Sequence, residues 1–167
     1  MRGQGPLFVY VIMELEKDAR FLLNNCLGEN PELFLIAFEV DTNQHIRVVL
    51  DGDKGVTLDH CMMVSRAIEH NLDPDKYDFS LEVTSAGVSS PLELPRQFLK
   101  NINRKLEVKT VSGQVYQAKL VKVDEDAIEL NWKAREPKKI GKGKQVVDKK
   151  VALLFSEIKE AKVIITF

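Results

Sequence analysis

The chain has 167 residues, 44% of them hydrophobic and 29% charged, with 24 Lys/Arg against 25 Asp/Glu and a formal net charge of −1. That composition suits one ordinary globular domain or two small ones with cores of their own, and it excludes a disordered, collagen-like or disulfide-dense chain. The near-neutral total conceals a split: residues 1–95 hold 7 Lys/Arg and 16 Asp/Glu, whereas residues 96–167 hold 17 and 9, so the two halves are expected to meet different partners or each other.

The chain opens Met1-Arg2-Gly3-Gln4-Gly5-Pro6, followed by the apolar run Leu7 to Met13. Seven apolar residues are too few to span a bilayer. Glu14 follows directly, where a secretory signal would need a small-residue cleavage site. A cytoplasmic protein that does not touch membrane is expected. Residues 1–12 read as an appendage, a candidate for disorder, ahead of an N-terminal domain over 13–87.

Leu15, Ala19, Leu22, Leu23 and Cys26 recur at helical spacing, which predicts a helix over Glu14 to Leu27, stopped by Gly28 with Pro31 beyond. Phe34, Ile36, Phe38 and Val40 alternate with Leu35, Ala37, Glu39 and Asp41 as a strand with one strongly apolar face. After the polar turn Thr42-Asn43-Gln44, His45 to Leu50 is a second strand, completing a hairpin. Thr57 is the expected N-cap of a second helix, with Asp59 in the first turn, where the helix dipole favours an anion. Leu58, Cys61, Val64, Ile68 and Leu72 mark its inner face, and Asp73-Pro74-Asp75 ends it. Phe79, Leu81 and Val83 alternate as a third strand. The first half is thus α-β-β-α-β, a helix layer on a small mixed sheet.

Residues 86–95 hold Pro91 and Pro95 with Gly87 and two serines, which makes 88–95 the natural linker. Arg96 to Ile102 can form one short helix. Five strands are then expected at Leu106–Val111, Val115–Val123, Ile128–Trp132, Val151–Phe155 and Ala161–Phe167. Five short strands in about sixty residues suggest a small barrel over 96–167. Lys133 to Lys150 interrupts it as a basic insertion. It carries Lys133, Arg135, Lys138, Lys139, Lys142, Lys144, Lys149 and Lys150 against only Glu136 and Asp148, and Gly141 and Gly143 make a flexible loop the expectation.

Chemical signatures are few. Asp51-Gly52-Asp53-Lys54-Gly55 starts like a calcium loop, but the third ligand position is Gly55, the glycine position is Val56 and the closing carboxylate position is Met62. A strand-to-helix turn is the better reading. His45, His60 and His70 fall into no metal spacing, and Cys26 and Cys61 read as separate apolar thiols. Ser85 to Gly87 is not a nucleophile elbow, and Gly141-Lys142-Gly143-Lys144 lacks the leading glycine and the hydroxyl of a phosphate loop. Eight cations on one segment can neutralise several phosphates, and RNA, read by shape as much as by sequence, is the favoured partner over a bare solvated loop. Trp132 abuts the segment, where a core role is preferred to base stacking.

Three stretches together resemble a known family: Leu50 to Asp59 running into Val64-Ser65-Arg66-Ala67-Ile68-Glu69, then Phe79 to Leu92, and the closing Ile158-Lys159-Glu160-Ala161-Lys162-Val163. From about Glu14 to Phe167 the chain resembles the bacterial ribosome maturation factor RimP family, with Phe79 to Leu92 the most specific part. The resemblance implies an α+β protein, with an N-terminal α/β domain followed by a small SH3-like (Sm-like) β-barrel. It further implies a non-enzymatic factor without cofactor that binds the free small ribosomal subunit, assists its assembly and rRNA maturation, and meets a ribosomal protein near the decoding centre. At the junction the family's usual Pro and Asp-Arg are replaced by Ala86 and Ser89-Ser90, and the lysine-rich insertion is longer than the family norm.

On this reading the chain is a monomer. Lys133–Lys150 with Arg96, Lys100, Arg104 and Lys105 contacts rRNA. The acidic half offers Asp51, Asp53, Asp59 and Glu82 to a basic ribosomal protein. The rival readings are a general Sm-like RNA-binding protein in an oligomeric ring and a metal-dependent nuclease built on Asp51 and Asp53, for which the residues present no complete site.

Overall fold

A computed structural model of the chain describes residues 6–165. Contacts divide the chain between Ala86 and Gly87. The protein is of mixed α+β class, with one sheet in each unit.

The first unit begins with helix α1, Pro6–Gly28. Proline suits a helix start, because its missing N–H is one the first turn leaves unbonded anyway. The helix is longer than apolar periodicity predicts: residues 6–12, expected to stand apart, form its first turns, and Val11 packs against the core. Residues 1–5 of the expected appendage lie outside the described residues. Leu15, Ala19, Leu23 and Cys26 form the buried face of α1. The Asn30 side-chain amide closes the helix end by donating to the Cys26 carbonyl at 2.8 Å.

Strands β1 (Leu33–Val40) and β2 (His45–Gly52) pair antiparallel. Helix α2 (Leu58–Glu69) then carries the chain back so that β3 (Ser80–Ser85) pairs parallel with β2, in the order β1-β2-β3. A parallel pair needs such a crossover. Ile46, Val48 and Leu50 face the core, fully buried.

Strict alternation fails in β1. The register slips between Leu35 and Ala37, so Ile36 is an extra residue without a partner. Leu35 therefore joins Phe38 and Val40 on the core side, while Phe34 and Ile36 are not part of that cluster. A bulge inserts one residue and inverts the alternation beyond it.

Thr57 caps α2 as expected. Its Oγ1 accepts from the His60 N–H at 3.2 Å, and the His60 ring Nδ1 accepts from the Thr57 N–H at 3.1 Å. His60 thus takes the role usually played by glutamate in a capping box. The turn before it is shaped by glycines: a Cβ at Gly52 would collide with the Gly55 carbonyl, and Gly55 itself has φ +87°.

The second unit starts with a short helix α3 (Pro95–Leu99) and continues as an antiparallel sheet. Its strands are β4 (Lys105–Thr110), β5 (Val115–Val123), β6 (Ala127–Pro137), β7 (Lys144–Leu154) and β8 (Ile158–Val163), in the order β7-β6-β5-β4-β8. A single helical turn, Phe155–Glu157, separates the last two strands. Residues 88–95, read as a linker, are tied to this unit: the Leu92 N–H donates to the Ala161 carbonyl at 2.7 Å. The expected closed barrel is not formed by strand pairing, since β7 and β8 remain the two edges of the ladder. The core gathers Phe98, Leu106, Val108, Leu120, Ile128 and Leu130 with Leu153 of β7 and Ala161 of β8. Both edge strands thus contribute to one core.

Candidate nucleic-acid interface

The expected flexible loop is a β-hairpin. Strands β6 and β7 pair without interruption from Ala127↔Leu154 to Pro137↔Lys144. Only residues 138–143 turn, and the Lys138 N–H donates to the Gly143 carbonyl at 3.1 Å. Gly141 and Gly143 adopt φ +85° and +102°, a conformation glycine enters without the steric penalty of a Cβ. Those glycines close a tight turn instead of loosening a loop.

Residues directly opposite across a ladder share one face. Ile128, Leu130, Trp132, Ala134 and Glu136 pair with Leu153, Val151, Lys149, Val147 and Gln145, which extends the core face into the hairpin. Trp132 packs there against the Tyr116 ring, with centroids 5.6 Å apart. Lys149 lies on this side and is ion-paired with Glu136. The opposite, outer face carries Asn131, Lys133, Arg135, Lys144 and Lys150, with Asp148 opposite Lys133. Lys138, Lys139 and Lys142 sit in the exposed turn. The eight predicted cations therefore separate into four on the outer face, three at the tip and one held by a carboxylate.

The outer face continues across the sheet. Lys105 on β4 pairs with Lys119 on β5, Lys119 with Asn131 on β6, and Asn131 with Lys150 on β7. The neighbours Leu106, Ala118, Leu120 and Leu130 are all buried, so this row points outward. Three lysines and an asparagine thus cross four strands, a width of about 14 Å at the usual strand spacing. Along β6, Lys133 and Arg135 extend it at about 7 Å per pair of residues. Lys119 is a member that sequence reasoning missed, because only the register joins it to Lys105 and Lys150.

The other predicted cations lie at the α3–β4 corner. Arg96 is on α3 and Lys100 caps its C-terminus. Both are half-buried, while Arg104 and Lys105 are exposed and line a 390 Å³ recess beside Val163 and Ile164. The row through Lys119 joins Lys105 to the hairpin.

The predicted acidic residues differ in exposure. Asp51 is buried, 6% exposed, and its Oδ1 accepts from the Gly52 N–H at 2.8 Å. It shapes the turn and leaves little surface for a partner. Asp53 and Asp59 are exposed at the β2–α2 connection. Glu82 is exposed on β3, opposite Arg47, with Oε2 3.4 Å from the His45 Nε2. Among the described residues no three His, Cys, Asp or Glu side chains are placed to hold a metal ion, and no helix is long and apolar enough to cross a membrane.

Elsewhere in the first unit, α1 is fastened to the segment after α2. The Lys76 Nζ donates to Glu14 Oε2 at 2.8 Å, and the Tyr77 hydroxyl donates to Asp18 Oδ2 at 2.6 Å. The Lys76 ammonium holds the Glu14 carboxyl below its usual range. Burial, and then the hydrogen bond to Asp18, push the Tyr77 hydroxyl up.

Comparison with known proteins decides the family. The RimP N-terminal domain family matches residues 23–89. A ribosome maturation factor RimP from Christiangramia forsetii is 53% identical over 153 residues, covering 92% of this chain and 99% of that protein. The chain belongs to the RimP family of ribosome maturation factors. A RimP from Flavobacterium psychrophilum is 46% identical over 155 residues, covering 93% of this chain and all of the relative. One from Porphyromonas gingivalis is 33% identical over 130 residues, 78% of this chain and 86% of its own length. The RimP N-terminal match ends at residue 89, so the outer-face lysines of β4 to β7 lie beyond it.

Proposed function

We propose that this RimP-family chain binds the free small ribosomal subunit and assists its assembly and rRNA maturation, with the outer face of the second sheet laid on rRNA. The observation that carries the proposal is the transverse row of Lys105, Lys119, Asn131 and Lys150, continued up the hairpin by Lys133, Arg135 and Lys144. A rigid, one-sided array of cations at strand spacing meets successive phosphates and releases their counterions. Asn131 in the row adds a donor and an acceptor for a base edge or a 2′-hydroxyl.

The acidic first unit repels phosphate and suits a basic ribosomal protein near the decoding centre, through Asp53, Asp59 and Glu82. The second sheet is read as an SH3-like (Sm-like) fold. Register shifts at Leu120/Lys122 and Lys109/Thr110 favour the curl that brings Leu153 and Ala161 into one core. The protein acts as a cytoplasmic monomer, by binding and without a cofactor. Co-sedimentation with free small subunits across a salt series tests the reading: association that weakens with salt is expected, and no association at any salt refutes it.

A further inference from the structure

We infer that a second site, a groove in the second unit, docks a lysine- or arginine-bearing protein segment that also carries an apolar side chain. The groove measures 720 Å³, within the roughly 300–1,000 Å³ usual for ligand sites. Leu92, Phe98, Phe155 and Ile158 supply its apolar surface, with the Phe98 and Phe155 rings edge to face at 5.2 Å. Glu93, Glu125 and Glu160 stand along it beside Lys159. Lys162 engages Glu160 at 2.9 Å. Glu93 and Glu125 are exposed, and among the described residues no cation pairs with either.

The walls are preformed. Leu92 is pinned to β8 through the Ala161 carbonyl. The buried Gln97 side chain accepts from the Glu93 and Leu94 N–H groups at 2.8 and 3.1 Å, and the Gln97 main-chain carbonyl accepts from the Asn101 side-chain amide at 2.7 Å. The Phe155 N–H donates to the Asp126 carbonyl at 2.9 Å, which ties the turn bearing Glu125 to the turn bearing Phe155. Binding therefore does not have to order these segments first.

Charge and polarity select the occupant. Two unpaired carboxylates repel an RNA phosphate and attract a cation, and an apolar floor rewards a desolvated side chain. A basic polypeptide segment with an apolar anchor meets both demands. The basic unit thus has an acidic-rimmed pole of its own, and the inference does not rest on the RNA reading.

The test is fluorescence anisotropy of the full chain with a labelled peptide of four lysines flanking two leucines. Glu93→Lys/Glu125→Lys is compared with the milder Glu93→Gln/Glu125→Gln, which covers any fault in folding of the reversed pair. The reversed pair is expected to weaken the peptide about tenfold, the neutral pair to weaken it less, and leucine-to-serine exchange in the peptide to weaken it too. Unchanged affinity in both variants overturns the inference. So does loss of rRNA-fragment binding in the neutral pair, which would put RNA in the groove. A concentration-dependent mass of the chain alone that the reversed pair abolishes also overturns it, by assigning the groove to a second copy. Failure of the RNA reading shows instead in titrations of Lys119→Gln/Lys150→Gln with rRNA, which leave the peptide result untouched.

Discussion

Replacing Lys119 and Lys150 by glutamine removes two of the three cations in the row across β4 to β7. Both are exposed on the outer face, opposite the buried Ala118, Leu120 and Leu130, so the fold should change by less than about 0.5 kcal/mol. Each lysine that neutralises a phosphate of single-stranded RNA contributes about 0.7 to the slope of log affinity against log salt. Two lost contacts therefore flatten the slope by about 1.4, which corresponds to about 25-fold weaker binding at 0.1 M salt. The difference should shrink as salt approaches 1 M. Anisotropy titrations of a small-subunit rRNA fragment from 0.05 to 0.5 M salt, about a decade, read both quantities directly. Parallel salt slopes for the wild type and the double variant would refute the row as an RNA contact.

Leu130→Ala empties part of the second core, where Leu130 is fully buried, and should cost about 2–5 kcal/mol in denaturant unfolding. Thr57→Ala removes the acceptor for the His60 N–H and should cost about 0.5–2 kcal/mol. Gly141→Ala forces a side chain into φ +85°; about 1–2 kcal/mol of local strain is expected, read as faster amide exchange at the hairpin tip with the cores unaffected. Tyr77 should make stability fall in alkali. Its folded pKa is raised above the ordinary value of 10.0 by burial and by Asp18, so its contribution is intact below that value and is lost as pH rises through the folded pKa. Tyr77→Phe should flatten this decline and lower neutral-pH stability by about 1 kcal/mol; an unaltered alkaline profile would remove Tyr77 as its source.

Local signals were legible where the physics is local. Thr57 at the head of an apolar 3.6-residue pattern specified a helix start, because the cap bonds lie within one turn. The limits Val115 and Val123 of β5 were readable from alternation and the flanking turns. What escaped was set by distant partners. The hairpin was hidden because Lys133 to Lys150 is rich in charge and glycine, and its weak alternation of Ala134 and Val147 with outward cations gains meaning only when the two strands pair. The Ile36 bulge was illegible for the same reason, since a bulge is defined by what lies opposite. Lys119 looked like any surface lysine until the register placed it between Lys105 and Asn131. Asp51 looked like a surface carboxylate, and burial made it a turn residue. The first turns of α1 were missed because none of residues 6–12 is fully buried, with Leu7, Val9 and Tyr10 exposed and Val11 only partly buried, so no buried stripe announces the helix.

A density map of the chain on an immature small subunit measures the proposed binding most directly. The outer face of β4 to β7, at Lys105, Lys119, Lys150, Lys133 and Arg135, is expected against the rRNA backbone, with Asp53 and Asp59 turned towards protein. A map with that face open to solvent and rRNA lying on the acidic unit would contradict it.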